Sequence, residues 1–197
     1  MRFTTTKQDL LEKGLEIFMS KGYNHTGIQE VIEAVGVPKG SFYHHFKSKE
    51  EFGVQVLELY AKQSIEQMRQ LFGNTAIAPL KRLRMFFEMG TQKMAEHDCK
   101  GGCLIGNLSQ ELGDSHPVFQ AILNQKMQAM REPLRLCLEE AKSKGEIQSG
   151  FDATELADFM INSYQGALTR AKVEGCTSPL LLHRKMVFEG LLGVSAT

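Results

Sequence analysis

Net charge is the first thing missing. Lysine plus arginine number 23 and so do aspartate plus glutamate, so a global basic excess cannot be the ground for nucleic-acid binding, and any DNA footprint has to be local. Long apolar runs are missing too. The longest fall far short of the roughly 18 to 20 residues a membrane span needs, and Met1-Arg2-Phe3-Thr4 passes into a polar helical pattern without a signal-peptide core. The expected location is cytoplasmic, with no membrane partner. Cysteine is sparse: only Cys99, Cys103, Cys137 and Cys176. In a reducing compartment these do not make a structural disulfide framework, and free or reactive thiols are the expectation. Sustained apolar and polar alternation is lacking, which removes the signal for strands. Internal repeats and low-complexity tracts are lacking as well.

What is present is helical. The chain is 197 residues long with 42% apolar content, enough for an ample core. Apolar residues recur at helical spacing, as in Leu10, Leu11, Leu15, Ile17 and Phe18, so the fold is expected to be all-α. Thr26-Gly27-Ile28-Gln29, Ser48-Lys49-Glu50-Glu51 and Asp152-Ala153-Thr154-Glu155 read as helix starts of the capping-box kind. Ser178-Pro179 sets a capping hydroxyl before a proline. Gly22, Gly36, Gly73, Gly145 and Gly175 read as left-handed stops. About nine helices follow, at Thr6 to Lys21, Gly27 to Val35, Lys39 to Phe46, Lys49 to Phe72, Ala78 to Glu96, Leu104 to Gly113, Pro117 to Lys144, Ala153 to Glu174 and Pro179 to Leu192. Three short helices precede longer ones, which predicts an N-terminal unit over 1–47 and a larger helical bundle over 48–197.

The segment from Thr26 to Phe46 has the spacing of a helix-turn-helix: a helix, a turn at Val35-Gly36-Val37, and a second short helix restarted after Pro38. Phe42 and Phe46, four residues apart, should face the core, leaving Ser41, Tyr43, His44 and Lys47 on outer faces. Between Gly36 and Lys49 the chain has Lys39, Lys47 and Lys49 with His44 and His45, and no acidic residue. That is a local positive patch within a neutral chain. Amides after Thr26 and around Lys39 and Gly40 offer donors to phosphate, and Gly40 lets the backbone approach closely.

Gly22-Tyr23, Thr26, Gly36-Val37-Pro38-Lys39-Gly40, Phe42-Tyr43-His44-His45-Phe46 and Ser48-Lys49-Glu50, taken in order, resemble the signature of the tetracycline-repressor (TetR) family. The resemblance implies an all-α, nonenzymatic homodimer without cofactor or metal that binds double-stranded operator DNA through a helix-turn-helix and responds to a small-molecule effector. By the same resemblance Thr26, Lys39, Gly40, Ser41, Tyr43, His44 and Lys49 match positions that touch DNA, with Lys49 on phosphate and Ser41, Tyr43 and His44 nearest the bases. Exposed Lys47 joins this set on its charge, while His45 matches a position usually packed inside. Ile32 departs from the alanine common in the family and bears on packing between the first two helices.

Farther along, Leu156, Phe159, Met160, Tyr164, Ala167, Leu168 and Ala171 form one broad stripe. Leu180, Leu181, Leu182, Val187, Phe188, Leu191 and Leu192 form another. Paired across a two-fold axis, the last two helices would make a four-helix dimer interface, with Gly166 and Ala167 permitting close approach; the same stripes also fit an intrachain core. Family likeness places an effector pocket among the middle helices, with candidate walls at Phe86, Phe87, Met89, Met94, Phe119, Met127, Met130 and Tyr164, each of which also fits plain core. Cys103 follows a glycine-rich break and precedes a helix, a setting that favours thiolate. Gly102-Cys103-Leu104-Ile105-Gly106-Asn107-Leu108-Ser109 resembles a segment in family members that sense electrophiles and oxidants through a cysteine matching Cys103. The same Gly-Cys-Leu pattern also occurs in relatives with noncovalent ligands, and a buried inert thiol is the open alternative.

Two other function classes stay in view. An all-α enzyme would draw on Asp114, His116, Glu139 and Glu140, which form no recognisable constellation. A ligand-binding dimer without DNA affinity would show a broken or acidic second helix, and here that helix is intact and positive. Metal binding by His97, Cys99 and Cys103 lacks a fourth ligand and a zinc spacing.

Overall fold

The computed structural model describes residues 7–194, all of them helix or connection. In chain order the helices are α1 (Lys7–Lys21), α2 (Ile28–Val35), α3 (Lys39–His45), α4 (Lys49–Phe72), α5 (Pro79–Glu96), α6 (Leu104–Leu112), α7 (Pro117–Ser143), α8 (Ala153–Glu174) and α9 (Ser178–Lys185). A π-helical stretch, Met186–Leu191, continues α9. The all-α expectation holds, with α4 and α8 ending where the apolar spacing ends. The expected start at Thr6 lies outside the described residues.

Capping follows the local chemistry with four differences. Asp152 accepts from the amides of Thr154 and Glu155 at 2.7 and 2.8 Å, and Glu155 reaches back to the Asp152 amide at 2.9 Å, a complete capping box. Ser48 accepts from the Glu51 amide at 3.1 Å, but the Glu51 carboxylate takes the Lys47 amide, one residue earlier than a box requires. Thr26 caps nothing: Gly27 is the N-cap of α2, and the Thr26 hydroxyl donates to the Gly22 carbonyl at 2.6 Å. Helix α9 starts one residue early, with Thr177 rather than Ser178 at the cap. Gly36 closes α2 with a left-handed φ of 74°, its own amide bonding to Glu33 and that of Val37 to Ile32. Gly73 is not among the left-handed glycines; the strained positions are Asp98 and Cys99, at φ 50° and 56° in the α5–α6 connection.

Two compact units emerge, residues 1–63 with 103–126, and 64–102 with 127–197. The first is held by aromatic rings. Phe18, Phe42, Phe46 and Phe52 are all essentially buried, and the Phe52 ring lies 5.8, 5.2 and 5.0 Å from those of Phe18, Phe42 and Phe46. Tyr23 adds edge contacts to Phe18 at 5.6 Å and to Phe119 of α7 at 4.9 Å. Gly53 admits these rings, since a Cβ there would stand 2.6 Å from Tyr23 and 2.9 Å from Phe119.

The second unit buries Leu83, Phe87, Leu134, Leu138, Met160, Leu180 and Phe188. It also buries a charge. Arg82 is 1% exposed and donates to the Phe72 carbonyl at the end of α4 and to the Glu140 carboxylate of α7 at 2.5 Å. Lys144 takes the other Glu140 oxygen at 2.7 Å, and these partners hold the Glu140 carboxyl below its usual range, Arg82 first. Burial pushes the neighbouring Cys137 thiol up to about 12, which leaves it inert.

Candidate functional site

Helix α3 has only seven residues, too few to be stable alone. Phe42, 0% exposed, and Phe46 at its end anchor it from behind. With that face fixed, Lys39, Gly40, Tyr43 and His44 stand exposed, Ser41 and His45 are half-buried, and Lys47 is exposed just beyond. Tyr43, 46% exposed, is a large ring left in water at the surface, as a base-contacting side chain requires. Nothing lies within 4 Å of a Cβ built on Gly40, so the backbone there is open to a partner.

Lysines around α3 rest on aromatic rings. The Lys39 ammonium is 5.9 Å from the Tyr43 ring centre, Lys49 is 4.3 Å above Tyr23, and Lys7 of α1 is 5.5 Å from Phe46. Lys49 also approaches the Asn24 carbonyl at 3.4 Å. Burial lowers its pKa, with Glu111 acting in the opposite direction. The Tyr23 hydroxyl is shifted up, by burial first and then by Glu50 and Glu111.

Thr26 is the correction within this set. It is 2% exposed, its hydroxyl bonds Gly22 and its amide bonds Tyr23 at 3.1 Å, so its polar groups point inward. Threonine beside a glycine can turn its hydroxyl either way, and the sequence pattern does not distinguish the two. The first turn of α2 has no side-chain cap, so its amides stay available.

The candidate effector walls separate. Phe86, Phe87 and Tyr164 come together, with ring centres 5.0, 5.2 and 6.2 Å apart. Met94 and Met130 are buried, whereas Met89 is 59% exposed and Met127 37%. Phe119 belongs to the aromatic core of the first unit against Tyr23 and His116, a correction to its place on the effector wall. His183 was not anticipated. It is 8% exposed among Phe87 and Tyr164, bonds Ser163 at 3.0 Å, and has its pKa lowered by burial against the raising effect of the Met160 backbone.

Cys103 is half-buried at the N-cap of α6, and Cys99 is buried. Of the acid-base candidates, Glu139 pairs with Arg135 and Glu140 with Arg82 and Lys144. Among the described residues no three histidine, cysteine or acidic side chains gather as a metal site, and no helix is long and apolar enough to cross a membrane.

Residues 10–54 match the family described as bacterial regulatory proteins, tetR family, and residues 79–187 match the tetracyclin repressor-like C-terminal domain. The chain is similar to the transcriptional regulator AcuR of Cereibacter sphaeroides, 38% identical over 88% of this chain and 79% of the relative. It is 35% identical to the HTH-type transcriptional repressor DhaR of Mycobacterium sp. strain GP1, over 98% of this chain and 95% of that one. The fold superposes on the crystal structure of the reduced form of E. coli NemR with a TM-score of 0.88 at 24% identity, covering 96% of this chain and 98% of that one.

Proposed function

The chain belongs to the TetR family of bacterial regulatory proteins and is a DNA-binding transcriptional regulator rather than an enzyme, and from that premise we propose how it works. Residues 1–47 read a palindromic operator, and residues 48–197 bind an effector and pair two copies of the chain. Lys39, Lys47 and Lys49 neutralise phosphates, Gly40 admits the backbone, and Ser41, Tyr43 and His44 meet base edges. One observation carries the reading: an exposed, acid-free face on α3, held rigid from behind by Phe42, Phe46 and Phe52.

Dimerisation through α8, α9 and its π-helical continuation is supported by large apolar side chains left in water: Phe159 at 55%, Leu181 at 51%, Leu182 at 56% and Met186 at 61% exposure. Gly166, with nothing within 4 Å of its Cβ position, permits close helix approach. A two-fold pair would present two α3 helices to half-sites about 34 Å apart. Effector binding beside Phe86, Phe87 and Tyr164, or modification of Cys103, shifts α4 and spoils that spacing, so the repressor leaves its operator.

Labelled DNA from the region beside its own gene tests this reading, titrated at several salt concentrations with and without apolar ligands and thiol-reactive electrophiles. Salt-sensitive binding to one palindromic site, released by one compound class, is expected. Binding no tighter than to random DNA would refute the reading. Loss of the electrophile response in Cys103→Ser is expected if that thiol is the sensor, and a retained response would remove it.

A further inference from the structure

We propose that Glu111 is a positioning residue for DNA binding, the carboxylate through which α6 holds the turn that seats Lys49. Resting on the assignment of Lys49 to phosphate, this proposal begins from a long-range contact. Glu111 lies in the last turn of α6, and its two oxygens accept from the amides of Tyr23 at 2.9 Å and Asn24 at 2.6 Å. Gly22 makes the approach possible, because a Cβ there would sit 2.8 Å from the Glu111 carboxylate. Hydrogen bonds to a charged acceptor are about twice as strong as neutral ones, and two on consecutive amides fix the backbone in place and direction.

The same two residues hold Lys49. Its ammonium sits over the Tyr23 ring and beside the Asn24 carbonyl. On its other sides the Tyr23 ring is gripped by Phe18 and Phe119. A movement of α6 is therefore passed through one carboxylate to the DNA-facing lysine. Charge alone would act the other way: an anion near the interface repels phosphate, so its removal should tighten binding to any DNA. Positioning and repulsion differ in sign on the operator.

The test uses the full-length protein, its operator duplex and a scrambled duplex of the same length, read by fluorescence anisotropy. Glu111→Ala is expected to weaken operator binding roughly tenfold, about the worth of one charge-assisted hydrogen bond. Scrambled DNA should weaken as well, because a phosphate contact is indifferent to sequence. Glu111→Gln, which keeps an oxygen for one amide, should fall between alanine and wild type. In a Lys49→Ala background the further loss from Glu111→Ala should shrink to less than roughly threefold, as expected for residues acting as a unit. Equal tightening on both duplexes would make Glu111 a repelling charge only, and losses that multiply in the double variant would separate it from Lys49; either overturns the proposal. Circular-dichroism melts check that each variant is folded, and if Glu111→Ala is not, Glu111→Gln supplies the same two comparisons. A wild-type protein unable to tell operator from scrambled DNA would instead overturn the DNA reading beneath the proposal.

Discussion

Replacing Lys49 by alanine should change how operator binding responds to salt by a calculable amount. Each phosphate neutralised contributes about 0.9 to the slope of log affinity against log salt. A symmetric dimer loses two such contacts, so the slope should flatten by about 1.8. Between 50 and 200 mM salt the wild type should then lose roughly twelvefold more affinity than the variant, against roughly 3.5-fold if a single lysine is engaged. The geometry favours a defined contact, since the ammonium is already placed 4.3 Å above Tyr23 and little side-chain freedom is left to lose. Alanine also removes that ring contact, worth about 0.5–1 kcal/mol at such a site, which a thermal melt registers separately. Anisotropy titrations at five salt concentrations measure the slope, with Lys49→Arg as a control that should retain it. A weakened variant with an unchanged slope would refute the reasoning, leaving Lys49 as a prop for Tyr23 and not a phosphate contact.

Gly53→Ala should destabilise the first unit by about 1–3 kcal/mol, because the new methyl meets two buried rings; an unchanged melting temperature would mean that Tyr23 and Phe119 yield freely. Glu140→Gln should cost about 1–3 kcal/mol at neutral pH by leaving buried Arg82 without its carboxylate. Since the folded Glu140 pKa lies below its ordinary 4.5, that stabilisation is present above this pH and lost as the pH falls through the folded value, so the wild-type advantage should close in acid. A gap that does not narrow as the pH is lowered would assign the loss to packing. Leu182→Glu, at a 56% exposed position on α9, should shift sedimentation from dimer to monomer, and a dimer that persists at low concentration would place the interface elsewhere. Tyr43→Ala should alter operator preference with the salt slope intact, whereas uniform weakening on all sequences would take Tyr43 off the bases.

Regular elements were legible because spacing and caps are local. The ends of α4 and α8 follow from apolar periodicity, and the Asp152 box from four adjacent residues. Phe42 and Phe46 at four-residue spacing fixed which side of α3 faces outward. Contacts joining distant residues were not legible. Glu111 meets residues 87 and 88 positions away, and nothing in α6 marks it apart from any solvent-facing glutamate. Arg82 occupies a buried place that periodicity reserves for apolar side chains, and its partners are in α4 and α7. Phe119 looks like any helical phenylalanine until Gly53 and Tyr23 are seen to make room for it. The apolar pattern of Pro179 to Leu192 carries no mark of the change from α-helix to π-helix after Lys185.

The first compact unit is not a contiguous length of chain: it closes only with residues 103–126 added to 1–63. For anyone building hybrid regulators this changes where the scissors go. A reading head cut after residue 47 and grafted onto a foreign sensor leaves behind Glu111 and Phe119, the polar and the aromatic grip on the α1–α2 turn. The transplant would have to carry α6 and the opening turns of α7 with it, or redesign the recipient's matching helices to present a carboxylate and a ring at those places. Exchangeable operator specificity in this scaffold is thus a property of two stretches of sequence inherited together.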